Sequence, residues 1–510
     1  MSYELIVPDF GLVLPQFVVF LTAIVLSLTD AFLPKRLHFT WLTAISLVGY
    51  ALGLLLLINQ HGQNESTFYG LFRADGLTVF LTLIILSAAI LTVLISASYV
   101  ENLEGKMPLG EFYTLLAFAV LGALLTASAG DLVMVYVGIE LSSLAVYILT
   151  AFAKRRETSL EGALKYFLLG MFASAILLYG MAWIYGSTGT TDLDAIARGL
   201  QAFTSGQEDI DASLLLGIIL LIVGLGFKMA AVPFHFWTPD AYDGAPTPVS
   251  AFMSVVPKAA AFAAAIRILV QGLAPVRDDW VTLIAALALI TMVFGNLVAI
   301  SQRNVKRMLA YSSIAHTGYI MAGFAAYRAT DGFSDGTSSS AGVSSVLYYL
   351  LAYTFMNIGA FAIMAWIQHR GRGMMLEDFS GLASQHAMPA LAMTVFLISL
   401  MGIPPTIGFY GKYYVIVALI DADLLWLALG IVVMSAISAF FYLRIVATMY
   451  FSDAKETARE QSFRSVRTPL LDVGIAVMVV AVIALGLFSG PIIDLADQWS
   501  TALTLTAMAP

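Results

Sequence analysis

Runs of about 20 mostly apolar residues, the length a helix needs to cross a bilayer, recur along nearly the whole chain. Fourteen can be drawn: Leu12–Ala31, Phe39–Ile58, Leu77–Tyr99, Phe112–Ser128, Leu132–Ala153, Leu164–Tyr185, Leu214–Val232, Thr247–Leu269, Trp280–Ile300, Met308–Ala326, Val346–Ile367, Ala390–Gly411, Leu424–Met449 and Leu471–Phe488. They are continuous rather than alternating, which rules out a barrel and leaves an all-helical bundle. Composition agrees: 60% of the 510 residues are hydrophobic and 11% charged, against roughly 45–50% and 25% in soluble domains. The first run is read as a span, not a cleaved signal, because no basic residue precedes it and no small-residue cleavage site follows before Pro34 and Lys35.

An even number of spans puts both termini on one side, and the basic residues of the connections orient them. Lys35, Arg36, Lys106, Lys154, Arg155, Arg156, Arg303, Lys306, Arg307, Arg370, Arg372, Lys455, Arg459, Arg464 and Arg467 fall on the opposite side. Only Arg73, Arg198, Arg277 and Arg328 share the side of the termini. The termini are therefore expected outside, with the basic loops in the cytoplasm. The longest loop, about Gly186–Ser213, is acidic and polar, and Asp331–Gly342 reads as a flexible Ser/Gly-rich loop. A net charge of -8 gives no basic surface for nucleic acid, and the absence of cysteine excludes disulfides, thiolate nucleophiles and cysteine-bound clusters on this chain.

Six of the 25 basic residues remain at apparent membrane depth: Lys165, Lys228, Lys258, Arg267, Lys412 and Arg444. A charge at the bilayer centre costs about 2.5–3.5 kcal/mol even on insertion scales, so such residues mark pathways or pair with one another. Glu140, in the middle of the fifth run, is the carboxylate that joins them. Each has a plain alternative as a structural ion pair or a snorkelling side chain, favoured for Arg267 and Arg444 and open for Lys165 and Lys412. His316 lies mid-span among hydroxyls, and His235 is the other histidine at this depth.

Prolines locate the breaks. Pro233 leaves the carbonyl of Met229 without its helical donor directly after Lys228, Pro257 does the same to Met253 beside Lys258, and Pro404 and Pro405 strand the carbonyls of Leu400 and Met401 ahead of Lys412. Irregular backbone at this depth belongs where it is buried in protein or lines water, so hydrated pockets are expected beside these lysines. The broken seventh and twelfth spans are five apart, as two five-helix repeats would give. The expected organisation is one integral domain, 1–510: three N-terminal helices in 1–100, repeats at 112–270 (helices 4–8) and 280–450 (helices 9–13), and a C-terminal helix and tail in 471–510. Desolvation favours a neutral amine and a nearby carboxylate a charged one, so a buried lysine can be loaded and unloaded by moving its partner. Ser142, Ser143, Thr247 and Ser250 are candidate hydroxyl links.

The run from Gly226 through Lys228, Pro233, His235, Trp237, Pro239, Pro246 and Pro248 to Pro257-Lys258 strongly resembles the antiporter-like subunits of respiratory complex I, and among them the subunit N branch related to mitochondrial subunit 2. Glu161-Gly-Ala-Leu-Lys165-Tyr-Phe, Leu309 to Gly318 with His316, and Gly402 to Lys412 carry the same resemblance. It implies fourteen helices, discontinuous seventh and twelfth helices, inverted repeats, and a hydrophilic axis whose members fall on Glu140, Lys165, Lys228, Lys258 and Lys412. It also implies one proton-translocating unit of NADH-quinone oxidoreductase in a bacterial cytoplasmic membrane, packed among other membrane-arm subunits and lipids. No cofactor is expected on this chain; FMN, iron–sulfur clusters and quinone belong to partner subunits. Two other readings stand beside it: a subunit of a multisubunit sodium/proton antiporter, and a scaffold whose polar axis is only structural.

Overall fold

The computed structural model describes residues 8–60, 62–101, 109–205, 211–327, 341–453 and 468–507. Lys106, Arg328, Lys455, Arg459, Arg464, Arg467 and the stretch 331–340 lie outside the described residues; Ala341 and Gly342, expected in a loop, instead open a helix. Among the described residues the chain forms nineteen α-helices and one short hairpin, β1 (Glu65–Thr67) with β2 (Phe72–Ala74). The helices are α1 Leu14–Phe32, α2 His38–Leu56, α3 Gly76–Glu101, α4 Leu109–Ala127, α5 Leu132–Thr150, α6 Glu157–Thr188, α7 Leu193–Ser205, α8 Ala212–Met229, α9 Trp237–Gly244 and α10 Thr247–Ala265. There follow α11 Arg277–Ser301, α12 Val305–Ala325, α13 Ala341–His369, α14 Leu382–Gln385, α15 Ala387–Met401, α16 Ile407–Asp421, α17 Leu425–Phe451, α18 Pro469–Leu487 and α19 Ser489–Ala507. The chain is an all-α polytopic membrane protein.

Among the described residues twelve helices are long and apolar enough to cross a membrane, and the two remaining expected spans differ for separate reasons. The tenth corresponds to α12, a 21-residue helix made polar by Lys306, Arg307, two serines, His316 and Thr317. The twelfth is divided into α15 and α16, 15 residues each, around the irregular segment 402–406. Lys412 therefore stands near the start of a half-helix that runs on to Asp421, not at the end of a span. The seventh is divided in the same way, into α8 and the eight-residue α9, with Ala230 left-handed at the break (φ 64°).

At Pro257 the expected break is absent, and α10 runs straight through it. The freed carbonyl of Met253 faces the Tyr242 hydroxyl at 3.4 Å, which is how neighbouring helices let a buried proline pass. The irregularity in this helix comes later, as a π-helical stretch over Ile266–Gly272. The long loop expected at 186–213 also holds a helix, α7, whose Leu193, Ile196, Ala197 and Leu200 are buried while its other face is polar.

Helices α3, α10 and α13 pack against one another at the middle of the bundle. Close helix pairs depend on small residues, as in other membrane bundles: a Cβ on Gly122 of α4 would come within 2.4 Å of the Ser142 nitrogen of α5, and one on Gly138 within 2.7 Å of the Thr126 nitrogen. This contact fixes the height of α5, and with it Glu140. Arg267 in the π-helical stretch is fully buried and holds both oxygens of Asp75, at 2.5 and 2.8 Å. Gln271 donates to Asp194 at 2.7 Å, and Asp194 pairs with Arg73, so the hairpin and α7 are tied to the same place. Arg444 donates to the carbonyls of Ile300 and Gln302, at the end of α11, at 3.0 and 2.5 Å.

Candidate functional site: a buried line of lysines

Helix α8 ends one residue after Lys228, and the break gives its carbonyls new donors. The Phe227 carbonyl accepts from the Trp237 indole at 3.1 Å, and the Met229 carbonyl stranded by Pro233 accepts from the Thr317 hydroxyl at 2.8 Å. Lys228 donates to Glu140 Oε1 at 2.9 Å and to the hydroxyls of Ser143 and Ser174 at 3.0 Å each. Ser174 in turn donates to the same Glu140 oxygen at 2.5 Å. The side chain of Glu140 keeps 20% exposure while that of Lys228 keeps 5%, so the acid faces the rim and the amine the interior.

Lys258, 2% exposed, has a different environment. Its amine donates to the Ser313 carbonyl at 2.8 Å, the Ser313 hydroxyl at 2.6 Å and the Thr317 hydroxyl at 2.9 Å. Thr317 thus stands between Lys258 and the carbonyl next to Lys228. Lys412, 5% exposed, donates to the carbonyls of Leu400 and Met401 at 3.0 and 2.8 Å, the two stranded by the proline pair, and lies 4.9 Å from the centre of the Tyr319 ring. Among the described residues neither Lys258 nor Lys412 has a carboxylate within 4.0 Å.

His316 occupies the same helix face region as Ser313 and Thr317. Its Nδ1 is 2.8 Å from the Tyr349 hydroxyl and its Nε2 is 3.2 Å from the Tyr442 hydroxyl, which also meets Ser312 at 2.5 Å. The Tyr319 ring, edge-on to the imidazole, lies between His316 and Lys412.

The residues expected from sequence divide into two sets. Glu140, Lys228, Lys258, His316 and Lys412 are all buried or half-buried within the bundle. Lys165 is not with them: its side chain is 44% exposed and it contacts Glu161 at 2.6 Å and Asp240 at 2.8 Å. Among the described residues Ser143 is the one of the four candidate hydroxyls that touches an axis amine and Ser142 has no hydrogen-bond partner, while Thr247 and Ser250 bond to Gln368 and to the Tyr242 carbonyl. His235 is 3% exposed, its ring against Phe236 and Phe294, away from the lysines. Ser174, Tyr349 and Tyr442 were not legible beforehand, since hydroxyls in apolar helices are common and cheap, and Ser313 and Thr317 stood out only as hydroxyls around His316, not as partners of Lys258. The carbonyls stranded by proline were the available signal for Thr317, because each needed a donor from elsewhere.

Comparison with known proteins places this chain in a family. Residues 129–438 match the family described as NADH:quinone oxidoreductase/Mrp antiporter, TM. The NADH-quinone oxidoreductase subunit N of Trichlorobacter lovleyi is 41% identical over 451 residues, 88% of this chain and 89% of that protein. A chain in the structure of respiratory complex I from Thermus thermophilus with bound aureothin superposes with a TM-score of 0.77 at 33% identity, covering 95% of this chain and 99% of that one. A chain of the Mrp complex from Dietzia sp. DQ12-45-1b shares the fold, with a TM-score of 0.79 over 98% of this chain and 100% of that one, but only 21% identity. At that identity the likeness is one of architecture, whereas the complex I likeness extends to sequence along nearly the full chain. The chain belongs to the antiporter-like membrane subunits of NADH-quinone oxidoreductase, in the subunit N family.

Proposed function

We propose that this subunit moves protons within the membrane arm of the complex along Glu140, Lys228, Lys258, His316 and Lys412, driven by changes in partner subunits. One observation carries the reading: Lys258 and Lys412 are buried with only carbonyl and hydroxyl acceptors around the amine. A carbonyl or hydroxyl accepts from an ammonium, a free amine keeps two N–H groups for the same carbonyls at Lys412, and the hydroxyls at Lys258 can also donate to it, so these sites tolerate both protonation states. Lys228 differs, because it has the Glu140 carboxylate beside it at 2.9 Å. When Glu140 turns from Lys228 toward the rim, the amine loses the carboxylate that favours its charged form. The change passes through Thr317, which bonds the carbonyl beside Lys228 and the amine of Lys258 together. His316 can receive at one ring nitrogen and release at the other, with Tyr349 and Tyr442 at the two positions.

In this reading the two halves, 112–270 and 280–450, are inverted repeats that meet at the broken helices, both termini face the periplasm, and FMN, iron–sulfur clusters and quinone reside on partner subunits. Lys165 sits at the basic-loop end as an outer member of the axis. Lys228→Met and Lys258→Met in the assembled complex should each abolish the coupled proton movement of this unit, read as proton uptake by inverted membrane vesicles during NADH oxidation. Normal uptake in both would leave the polar line a structural feature only.

A further inference from the structure

Asp240 sits on α9, the far half of the first broken helix, and among the described residues it is the carboxylate that holds basic side chains of two different helices. One oxygen accepts from Lys165 of α6 at 2.8 Å and the other from Arg307 of α12 at 2.7 Å. Each cation also has a second carboxylate near: Glu161 is 2.6 Å from Lys165, and Asp243 is 4.0 Å from Arg307. These side chains are 28–64% exposed, a setting in which ion pairs are weak and readily exchanged.

The same small helix is joined to the buried axis. Trp237 at its start donates to the Phe227 carbonyl, next to Lys228, and stacks on Tyr166 of α6 at 4.0 Å. Helix α6 also carries Ser174, which bonds both Glu140 and Lys228. Because Trp237 holds the Phe227 carbonyl beside Lys228 at the end of α8, a displacement of α9 against α6 changes how Lys228 of α8 meets Ser174 of α6. The stack, and the close approach of Gly162 to the Asp240 backbone and of Gly244 to that of Thr158, hold α9 in the fold without the carboxylate.

We propose that Asp240 is a positioning residue of the proton axis: bridging Lys165 and Arg307, it clamps α9 between α6 and α12, and exchange of those cations onto Glu161 and Asp243 frees α9 and loosens the Glu140–Lys228 pair. The inference rests on the axis reading given above and adds to it a switch at the basic-loop end. It also gives Lys165 a role outside the line of buried amines.

The test compares Asp240→Asn, Asp240→Glu and Lys228→Met in the assembled complex in inverted vesicles, recording proton uptake and NADH oxidation together. A general loss of assembly lowers both in proportion, so the ratio of protons to NADH is the readout. The expected result is a lowered ratio in Asp240→Asn, recovery in Asp240→Glu, and a lowered ratio in Lys228→Met. A normal ratio in Asp240→Asn beside a lowered one in Lys228→Met overturns this inference alone, and an equally low ratio in Asp240→Asn and Asp240→Glu does the same. A normal ratio in Lys228→Met overturns the axis reading, and the inference with it. If Asp240→Asn does not assemble, Arg307→Gln, which lies outside the axis, decides: a lowered ratio supports the clamp, and a normal ratio overturns it.

Discussion

Two sets of buried charges coexist in this bundle and are built differently. Around Arg267 every donor is matched: both Asp75 oxygens, the Thr78 hydroxyl, the Ala127 carbonyl and the Gln271 side chain surround one guanidinium. Around Lys258 and Lys412 the acceptors among the described residues are all neutral. Arginine keeps its proton in any protein environment, and its planar fork fits a carboxylate with two parallel bonds, whereas a buried lysine can give its proton up. The first site is made to stay charged. The second is made of a group whose charge can change and of partners that accept either state.

Asp75 shows how firm the first site is. Burial alone would raise its carboxyl, but the Arg267 charge and the hydrogen bonds from Arg267 and Thr78 outweigh burial and hold it below the ordinary carboxylate value. A group depressed in the folded state contributes stability that is present above its unfolded pKa, about 3.9, and is lost as pH falls through the folded value. The Asp75 contribution should therefore be constant from pH 5 to 8.

The sharpest way to break the contrast is to put arginine where lysine stands. Lys258→Arg keeps a cation in the axis but removes a releasable proton, so it should abolish the proton uptake of this unit as fully as Lys258→Met. Retained uptake in Lys258→Arg, measured in inverted vesicles, would mean that a fixed charge suffices. The next largest effect belongs to the other site: Asp75→Ala leaves Arg267 buried without its carboxylate, at a cost of about 3–5 kcal/mol. Thermal unfolding of the purified complex should show this as early loss of the subunit; an unchanged transition would mean that Arg267 finds another partner.

How far the sequence foretold these two sites depends on what signal each kind of residue leaves. Glu140, Lys228, Lys258 and Lys412 stand out because a charge inside an apolar run is expensive wherever its partner turns out to be. Pro233 and the pair Pro404–Pro405 place their breaks correctly because the missing N–H is a local fact. Pro257 misleads for the opposite reason, since whether a helix passes a proline depends on a neighbour, here Tyr242, that arrives only with tertiary packing. Asp75 and Asp240 lie outside the long apolar runs, where an acid carries no cost and so no warning. The partner of Arg267 is 192 positions away in the chain, and only the packing of α3 against α10 brings the two together. For α12, the polar residues Lys306, Arg307, Ser312, Ser313, His316 and Thr317 lower the apolar character of a spanning-length helix, and His316, Ser313 and Thr317 among them belong to or bond the proposed axis.

Arg267→Lys sharpens the contrast from the other direction. A lysine in that place cannot form the two parallel bonds to Asp75, and losing one charge-assisted hydrogen bond costs about 1.5–3 kcal/mol. The subunit should be less stable by that amount in thermal unfolding, with the ratio of protons moved to NADH oxidised unchanged. A changed ratio would connect Arg267 to the axis and remove the division drawn between the two sites.

The smallest change tests the link within the axis. Thr317→Val keeps the shape of the side chain and removes the hydroxyl between the Met229 carbonyl and Lys258. The carbonyl is left buried and unbonded, at a cost of about 1–3 kcal/mol, while Lys258 keeps Ser313. If the hydroxyl transmits the state of the first break to Lys258, the ratio of protons to NADH should fall in Thr317→Val and recover in Thr317→Ser, which restores the oxygen without the methyl group. A ratio that tracks stability alone, low in whichever variant unfolds first, would assign Thr317 to packing and leave the two lysines to communicate by some other route.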